Sequence, residues 1–230
     1  MKKLLIWLAL VVGIPLVLTG CGESYSWYQK LTVEVNKPGS VVSASSVTSV
    51  RYVLNAGLMD LWDGKGVYAT GEAATIDLGD GKYVFALLKN SKRLEGATHW
   101  AFYAIPSEQR KTWPLIGPMI ERSGLRFELN GDNQPMLVTF DDINDPTSVK
   151  EVDPANLAAT FGPGYSLQSI TLEITDDPVT EGEVEKVLGW LNDYKQKQYR
   201  LNGAKCVACP FSSDNLSDLL SGSNFKIGTN

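Results

Sequence analysis

Apolar and polar residues alternate along much of the chain, which is typical of strands that bury one face. The first alternating run extends from Tyr28 to Val35, and its apolar positions are Leu31, Val33 and Val35. Lys37-Pro38-Gly39 then supplies turn residues, and a second β segment rich in Val, Ser and Thr follows from Val41 to Tyr52. The pattern therefore predicts two strands joined by a turn.

Two further hairpins are predicted where turn residues separate apolar runs. The first joins Glu72–Leu78 to Tyr83–Leu88 through Asp80-Gly81, which supplies the left-handed dihedral angles of a tight turn. The second joins Leu125–Leu129 to Met136–Phe140 across a polar loop. One more strand, with imperfect alternation, is predicted over Tyr165–Thr175.

Fewer segments have helical spacing. Thr180-Glu181-Gly182-Glu183 matches a capping box, in which two side chains satisfy the free amides at a helix start. The apolar residues that follow at helical spacing are Val184, Val187, Leu188 and Leu191. We therefore expect an amphipathic helix from Glu181 to about Gln196, and shorter helices within Pro154–Phe161 and Ser213–Leu220.

No repeat, long linker or block of like charge interrupts this pattern. We predict an α+β fold: a single β-rich domain over residues 28–230, built from antiparallel hairpins, with one amphipathic helix near the C-terminus. The 43% hydrophobic and 20% charged residues belong to a globular protein and exclude a disordered or polytopic membrane chain. The pI of about 5.0 argues against nucleic-acid binding, which needs surplus Lys and Arg.

The N-terminus has a different pattern. Lys2 and Lys3 precede Leu4–Thr19, a run of 16 uncharged and almost wholly apolar residues. This run is shorter than the roughly 20 residues that an α-helix needs to cross a bilayer, and it contains Pro15. It is typical of the apolar region of a secretory signal peptide.

The apolar run ends in Leu18-Thr19-Gly20-Cys21, which resembles the lipobox of bacterial lipoproteins. The resemblance implies a signal peptide over residues 1–20 and cleavage before Cys21. Cys21 would then carry diacylglycerol and a further acyl chain such as palmitate, with residues 21–27 as the lipidated anchor and short tether. Several acyl chains hold a protein on a membrane where a single chain does not. A secretory signal with a chance cysteine and an uncleaved anchor are the alternatives.

The residue after the lipobox bears on location. By analogy with enteric lipoproteins, Gly22 favours the outer over the inner membrane, and in either case the domain would face the periplasm. Removing 20 residues and two lysines leaves 210 residues with a net charge of −7. Such an acidic body is not attracted to anionic lipid, so attachment would depend on the acyl anchor.

Cys206-Val207-Ala208-Cys209 is the one paired-cysteine motif. In an exported protein it predicts a local disulfide between Cys206 and Cys209. A zinc site would need two further ligands, but Cys21 is assigned to lipid and His99 is the only histidine. A redox pair is the alternative.

Three other clusters favour structural interpretations. Asp141–Pro146 is acidic, but neither frame has calcium-loop spacing, so a turn is predicted. Gly79–Lys82 lacks the Walker spacing and stays a hairpin turn. His99 lies in an apolar stretch without a serine-nucleophile motif, which predicts a partly buried imidazole. We therefore expect no catalytic residue, no metal site and no cofactor.

The mature chain has nine tyrosines and five tryptophans, which are able to stack against a sugar or a peptide. The tryptophans are scattered at Trp27, Trp62, Trp100, Trp113 and Trp190. Core packing is the simpler interpretation of that scatter.

Several segments of the body resemble a recurring pattern in uncharacterised bacterial proteins of phage or envelope origin. They are Pro135–Asp142, Asp145–Val149, Val152–Pro154, Phe161-Gly162 and Ile174–Thr180. The resemblance implies a shared fold and transfers neither an activity nor a catalytic residue.

Two functional hypotheses remain. The first is a non-enzymatic, lipid-anchored envelope protein whose domain binds an envelope protein or a ligand. The alternative is a periplasmic hydrolase that uses carboxylates, since acidic residues are plentiful and their pairing is invisible in a sequence. Two carboxylates in a deep cleft, one with a raised pKa, would favour the hydrolase. A flat or apolar exposed patch would favour binding.

Overall fold

The structure is a computed structural model that describes residues 24–54, 65–93, 95–108, 110, 117–118, 120–122, 124–205 and 213–228. Ten strands of these segments form two antiparallel sheets. Among the same residues, no helix combines the length and the apolar character needed to cross a bilayer.

The strands are short except for the first two and β9. Their bounds are β1 Ser24–Lys37, β2 Ser40–Leu54, β3 Lys65–Glu72, β4 Ala74–Gly79, β5 Lys82–Asn90, β6 Arg126–Glu128, β7 Pro135–Phe140, β8 Val149–Glu151, β9 Ser166–Thr175 and β10 Lys226–Ile227. The helices are α1 Trp100–Ala104, α2 Ala158–Phe161, α3 Glu183–Val187, α4 Leu191–Lys197 and α5 Leu216–Leu219. The β-rich α+β fold that the sequence predicts is confirmed.

A large sheet has the order β10-β3-β2-β1-β9-β6, and a small sheet has the order β4-β5-β7-β8. The chain passes from the large to the small sheet at Ala73, between β3 and β4. The predicted first pair of strands is present, with Lys37 opposite Ser40 at the turn. β1 begins at Ser24, so the last four residues of the predicted tether belong to the strand, and Trp27 is buried.

The small sheet is buried on both faces. On one face Val84, Ala86 and Leu88 pack against the large sheet. On the other face Phe85 and Leu87 pack against residues of the C-terminal segment, including Val184, Leu188, Leu191, Leu201 and Phe225. The molecule therefore has three layers, and the continuous apolar run of β5 reflects its central position.

The tight hairpin turn is confirmed, because Asp80 and Gly81 have φ values of 52° and 73° and β4 pairs with β5. The second predicted hairpin is wrong. β6 pairs with β9 in the large sheet, whereas β7 pairs with β5 and β8 in the small sheet. The loop between β6 and β7 therefore connects two sheets instead of reversing one strand against the next.

The predicted amphipathic helix is present as two short helices, α3 and α4, with a break over residues 188–190. The predicted capping box is wrong, because the N-cap residue is Gly182 and no side chain of that segment caps α3. Thr180 instead accepts a hydrogen bond from the backbone amide of Val47 at 2.9 Å. The cap comes from Glu72, far away in the sequence.

Candidate functional site

Three adjoining cavities run along one side of the molecule where the C-terminal layer meets the small sheet. The central cavity, about 770 Å³, is bounded by the end of β5, by β8 and by the segment around α5. A second cavity of about 700 Å³ shares Ser91, Lys92 and Glu151 with it. A third, about 520 Å³, shares Lys89 and Leu219. We call these three cavities together the basic cleft.

The lining of the basic cleft is rich in cations. Five basic side chains line the central and third cavities: Lys89, Lys92, Arg93, Lys150 and Arg200. The acidic side chains of the same two cavities are Glu95, Glu151 and Asp214. The second cavity adds Asp132 and Asp153 and no further cation, so the positive excess is confined to the central and third cavities, where it attracts anions in a chain of net charge −5.

Three of these basic side chains already have partners. Lys92 Nζ lies 3.3 Å from Asp132 Oδ1, and Lys150 Nζ lies 2.5 Å from Asp141 Oδ2. The Arg93 guanidinium lies over the ring of Tyr103, 4.5 Å from its centroid. Both ion pairs are largely exposed and hold the lysines only weakly.

Lys89 differs from these, because it is half-buried and, within the described part of the chain, has neither an ion pair nor a hydrogen bond. Alternation along β5 places it on the same face as Phe85 and Leu87, at the point where the C-terminal layer ends. Burial lowers the pKa of the Lys89 ammonium, the Glu151 carboxylate opposes this, and Arg200 lowers the pKa further. An anion beside Lys89 would raise the pKa of its ammonium group again.

Arg200 lies across the third cavity from the loop after β5. Its Nη1 donates a hydrogen bond to the backbone carbonyl of Leu219, which fixes the guanidinium beside α5. The two cations come from segments more than a hundred residues apart. They meet because β5 and the C-terminal segment pack on each other.

The hydrolase hypothesis requires two neighbouring carboxylates, one with a raised pKa, and Glu72 and Glu185 form such a pair. Burial raises the pKa of Glu72. Burial is the largest influence on Glu185 and acts to raise its pKa, but the hydrogen bond from Lys226 Nζ, further hydrogen bonds and the charge of Lys226 together outweigh it, so the pKa of Glu185 is lowered. Opposed shifts in neighbouring carboxyl groups are one mark of a general acid and base.

The geometry of this pair is that of a cap. Glu72 is fully buried, and its two carboxyl oxygens accept backbone hydrogen bonds from Gly182 at 2.9 Å and from Glu183 at 2.8 Å. Glu185 Oε2 is buried and has no hydrogen-bond partner among the described residues, and the Glu72 side chain acts to lower the pKa of Glu185. Neither residue lines the basic cleft.

The predicted site residues Cys21, Cys206 and Cys209 lie outside the described residues, so lipidation and the disulfide stay predictions. His99 is half-buried as expected. Its Nδ1 lies 2.8 Å from Thr98 Oγ1, and burial lowers the pKa of its imidazole.

The acidic cluster forms the predicted turn, since Asp142 and Asp145 accept hydrogen bonds from the amides of Asn144 and Thr147. Over the described ranges, no three His, Cys, Asp or Glu side chains are grouped to hold a metal ion.

The described tryptophans are core residues, as the scatter in the sequence predicts. Trp27 and Trp100 are buried and donate hydrogen bonds to Gln29 and Asn90. Trp190 donates to the carbonyl of Ile143. Trp62 and Trp113 lie outside the described residues.

The sequence contained one signal for the basic cleft, which is a lysine directly after the buried run of β5. Arg200 had no such signal. Comparison with protein-family models, with curated proteins and with solved structures finds no match. Function is therefore inferred from the cleft and from the N-terminal sequence alone.

Proposed function

We propose that this chain is a lipid-anchored protein of the bacterial cell envelope whose domain binds an anionic ligand in the basic cleft, without catalysing a reaction. Lys89 carries the proposal. A half-buried ammonium without a carboxylate partner is costly unless an anion joins it. The ligand group is a carboxylate or a phosphate, on a small molecule or on an envelope partner.

Binding is favoured over the hydrolase alternative by the positions of the acidic groups. The carboxyl group with a raised pKa is closed off from solvent, and both of its oxygens are taken by backbone amides. The central cavity of the basic cleft is lined by four cations and two carboxylates, with hydroxyl groups that include those of Ser91, Thr147 and Ser217. Such a lining recognises an anion.

Anion titration of residues 22–230, which contain both core clusters, tests the cleft. Inorganic phosphate and citrate are the probes, and amide NMR shifts around β5 and α5 report binding. Lys89→Gln should weaken the affinity at least tenfold, since a hydrogen bond to a charged group contributes about 1.5–3 kcal/mol.

Lys186→Gln is the matched control, because Lys186 is 68% exposed and pairs with Glu183 outside the cleft. It should bind both anions as the unaltered chain does. Equal affinity in Lys89→Gln, or saturation with neither anion, would refute the assignment.

A further inference from the structure

The outer face of the large sheet points away from the core and carries two exposed tyrosines. One lies on β1 and the other on β3, with β2 between them. Tyr28 is 45% exposed and Tyr68 is 64% exposed. Within the part of the chain that the structure describes, neither ring contacts another aromatic ring and neither hydroxyl has a hydrogen-bond partner. These side chains differ from the described tryptophans, which are buried in the core or packed against it.

The strand register places both tyrosines on one surface. Tyr28 is opposite Ser49, which is opposite Thr70, and Ser26 is opposite Arg51, which is opposite Tyr68. Residues directly opposite each other in antiparallel strands point to the same side of the sheet. We call these six side chains, Ser26, Tyr28, Ser49, Arg51, Tyr68 and Thr70, the tyrosine face. The two tyrosines lie two strands apart across the sheet and are offset by two residues along the strands, so their Cα atoms are separated by about 12 Å.

The ring of Tyr68 lies flat against the sheet. A Cβ atom built on Gly66 would lie 2.7–2.9 Å from two atoms of that ring and from its hydroxyl oxygen. Gly66 thus leaves the space that lets the ring cover the backbone of β3. One side of the ring is against the strand, and the other side faces solvent, ready for stacking.

A crossing segment, residues 176–181, limits the tyrosine face on one side. After β9, Asp177 Oδ2 accepts a hydrogen bond from Lys30 Nζ on β1 at 2.9 Å. The backbone amide of Thr180 donates to the carbonyl of Val47 on β2, and Thr180 Oγ1 accepts from the amide of Val47. The segment therefore passes over β1 and β2 and covers the middle of the outer face. Among the described residues of this face, exposed aromatic rings lie only in the half that begins at Ser24.

We infer that the tyrosine face binds a polysaccharide strand. Flat, exposed tyrosine rings stack on the apolar faces of sugar rings, and the serine, threonine and arginine side chains between them pair with sugar hydroxyl groups. Arg51 is the only charge among the six side chains and, in the described ranges, has no ion pair. A nearly neutral, polar and aromatic surface complements a polymer of hydroxyl groups.

The same side chains disfavour a membrane as the occupant. Proteins that lie on a bilayer present large aliphatic or aromatic residues together with clustered Lys or Arg. The six side chains of the tyrosine face include one cation and no aliphatic residue. The adjoining positions on the same side of the sheet add one half-buried valine, Val53, and one lysine, Lys30, which pairs with Asp177. A membrane is therefore an outcome for the experiment to exclude.

Cosedimentation of residues 22–230 with purified peptidoglycan sacculi and with chitin beads tests the inference. The chain should bind at least one of the two polysaccharides. The double variant Tyr28→Ala/Tyr68→Ala should lose at least tenfold in affinity, whereas Tyr28→Phe/Tyr68→Phe, which keeps both rings, should retain most of it. Arg51→Ala leaves both rings in place and should weaken binding severalfold, which separates loss of binding from any effect of uncovering Gly66.

Two variants serve as controls. Val41→Ala changes a side chain that is 52% exposed on the same sheet, at the tip of the β1–β2 hairpin, and should bind as the unaltered chain does. Lys89→Gln should also bind normally, because the basic cleft is a separate surface. Failure of the unaltered chain to bind either polysaccharide, equal binding by the double alanine variant, or tyrosine-dependent binding to phosphatidylglycerol vesicles instead would overturn the inference.

Discussion

At the scale of single residues, Glu72 connects parts of the chain that are more than a hundred positions apart. It ends β3, caps α3 through two backbone amides and contacts Glu185, which pairs with Lys226 on β10. A hydrogen bond from Lys226 to Glu185 also raises the pKa of the lysine. One buried carboxyl group thus links both ends of the C-terminal layer to the large sheet.

The raised pKa of Glu72 predicts a pH dependence of stability. A carboxyl group whose pKa is higher in the folded state stabilises the fold fully below its unfolded pKa, near 4.5, and this contribution is lost as pH rises through the folded pKa. Glu72→Gln cannot lose a proton. The difference in unfolding free energy between the unaltered chain and Glu72→Gln should therefore shrink from pH 5 to pH 8, as measured by urea denaturation.

Glu128→Gln is the control for this experiment, because Glu128 lies exposed on β6. Its difference from the unaltered chain should be the same at both pH values. Asp177, Glu185 and Asp218 have lowered pKa values, so their contributions to the stability of the fold are lost only as the pH falls below about 4. They do not change between pH 5 and pH 8. A difference in unfolding free energy between Glu72→Gln and the unaltered chain that stays constant between pH 5 and pH 8 would contradict the raised pKa of Glu72.

At the scale of elements, the β4–β5 hairpin depends on backbone conformation. Gly81 has a φ of 73°, and nothing lies within 4 Å of a Cβ built there. Gly81→Ala should therefore cost about 1 kcal/mol of stability through its left-handed dihedral angles alone. Gly189→Ala is a matched control, because Gly189 also has open space but no positive φ. Equal stability of the two variants in denaturant would show that the turn does not need glycine.

Local patterns predicted the elements whose formation depends on neighbours in the sequence. The alternation of Tyr28–Val35 and the Asp80-Gly81 turn both correspond to observed strands and turns. Turn residues also predicted a hairpin at the loop before β7, and this prediction was wrong because β6 belongs to the large sheet and β7 to the small sheet. The amphipathic pattern after Thr180 missed the break at Leu188, where α3 ends. The predicted capping box was wrong because the cap of α3 comes from Glu72 on β3 and not from the adjacent residues.

For each of the two proposed binding surfaces, the sequence indicated one residue but not the residues that surround it. Alternation along β1 places Tyr28 on the face opposite to Leu31, but its neighbours Arg51 and Tyr68 follow from strand register alone. Lys89 stands out after a buried run, whereas its proximity to Arg200 depends on how the C-terminal layer packs. Strand register and layer packing depend on contacts between distant residues, so local patterns in a single sequence do not predict them.

At the scale of the whole molecule, the three layers separate the two surfaces. The basic cleft lies where the small sheet meets the C-terminal layer, and the tyrosine face lies on the far side of the large sheet. β1 begins at Ser24, three residues after Cys21, which span about 10 Å when extended. On the lipoprotein hypothesis, the end of the large sheet that carries the tyrosine face is therefore held close to the bilayer.

That arrangement depends on the anchor, which labelling with a fatty-acid analogue tests in the full chain. Cys21→Ser should abolish the label, because the cysteine sulfur is the atom that would accept the diacylglycerol. It should also move the protein out of the membrane fraction or leave the precursor uncut, since on the lipoprotein hypothesis the acyl chains supply the attachment. Cys206→Ser and Cys209→Ser are matched controls and should keep the label. Equal label in Cys21→Ser and in the unaltered chain would refute the lipid anchor, while both binding surfaces would still be open to their own tests.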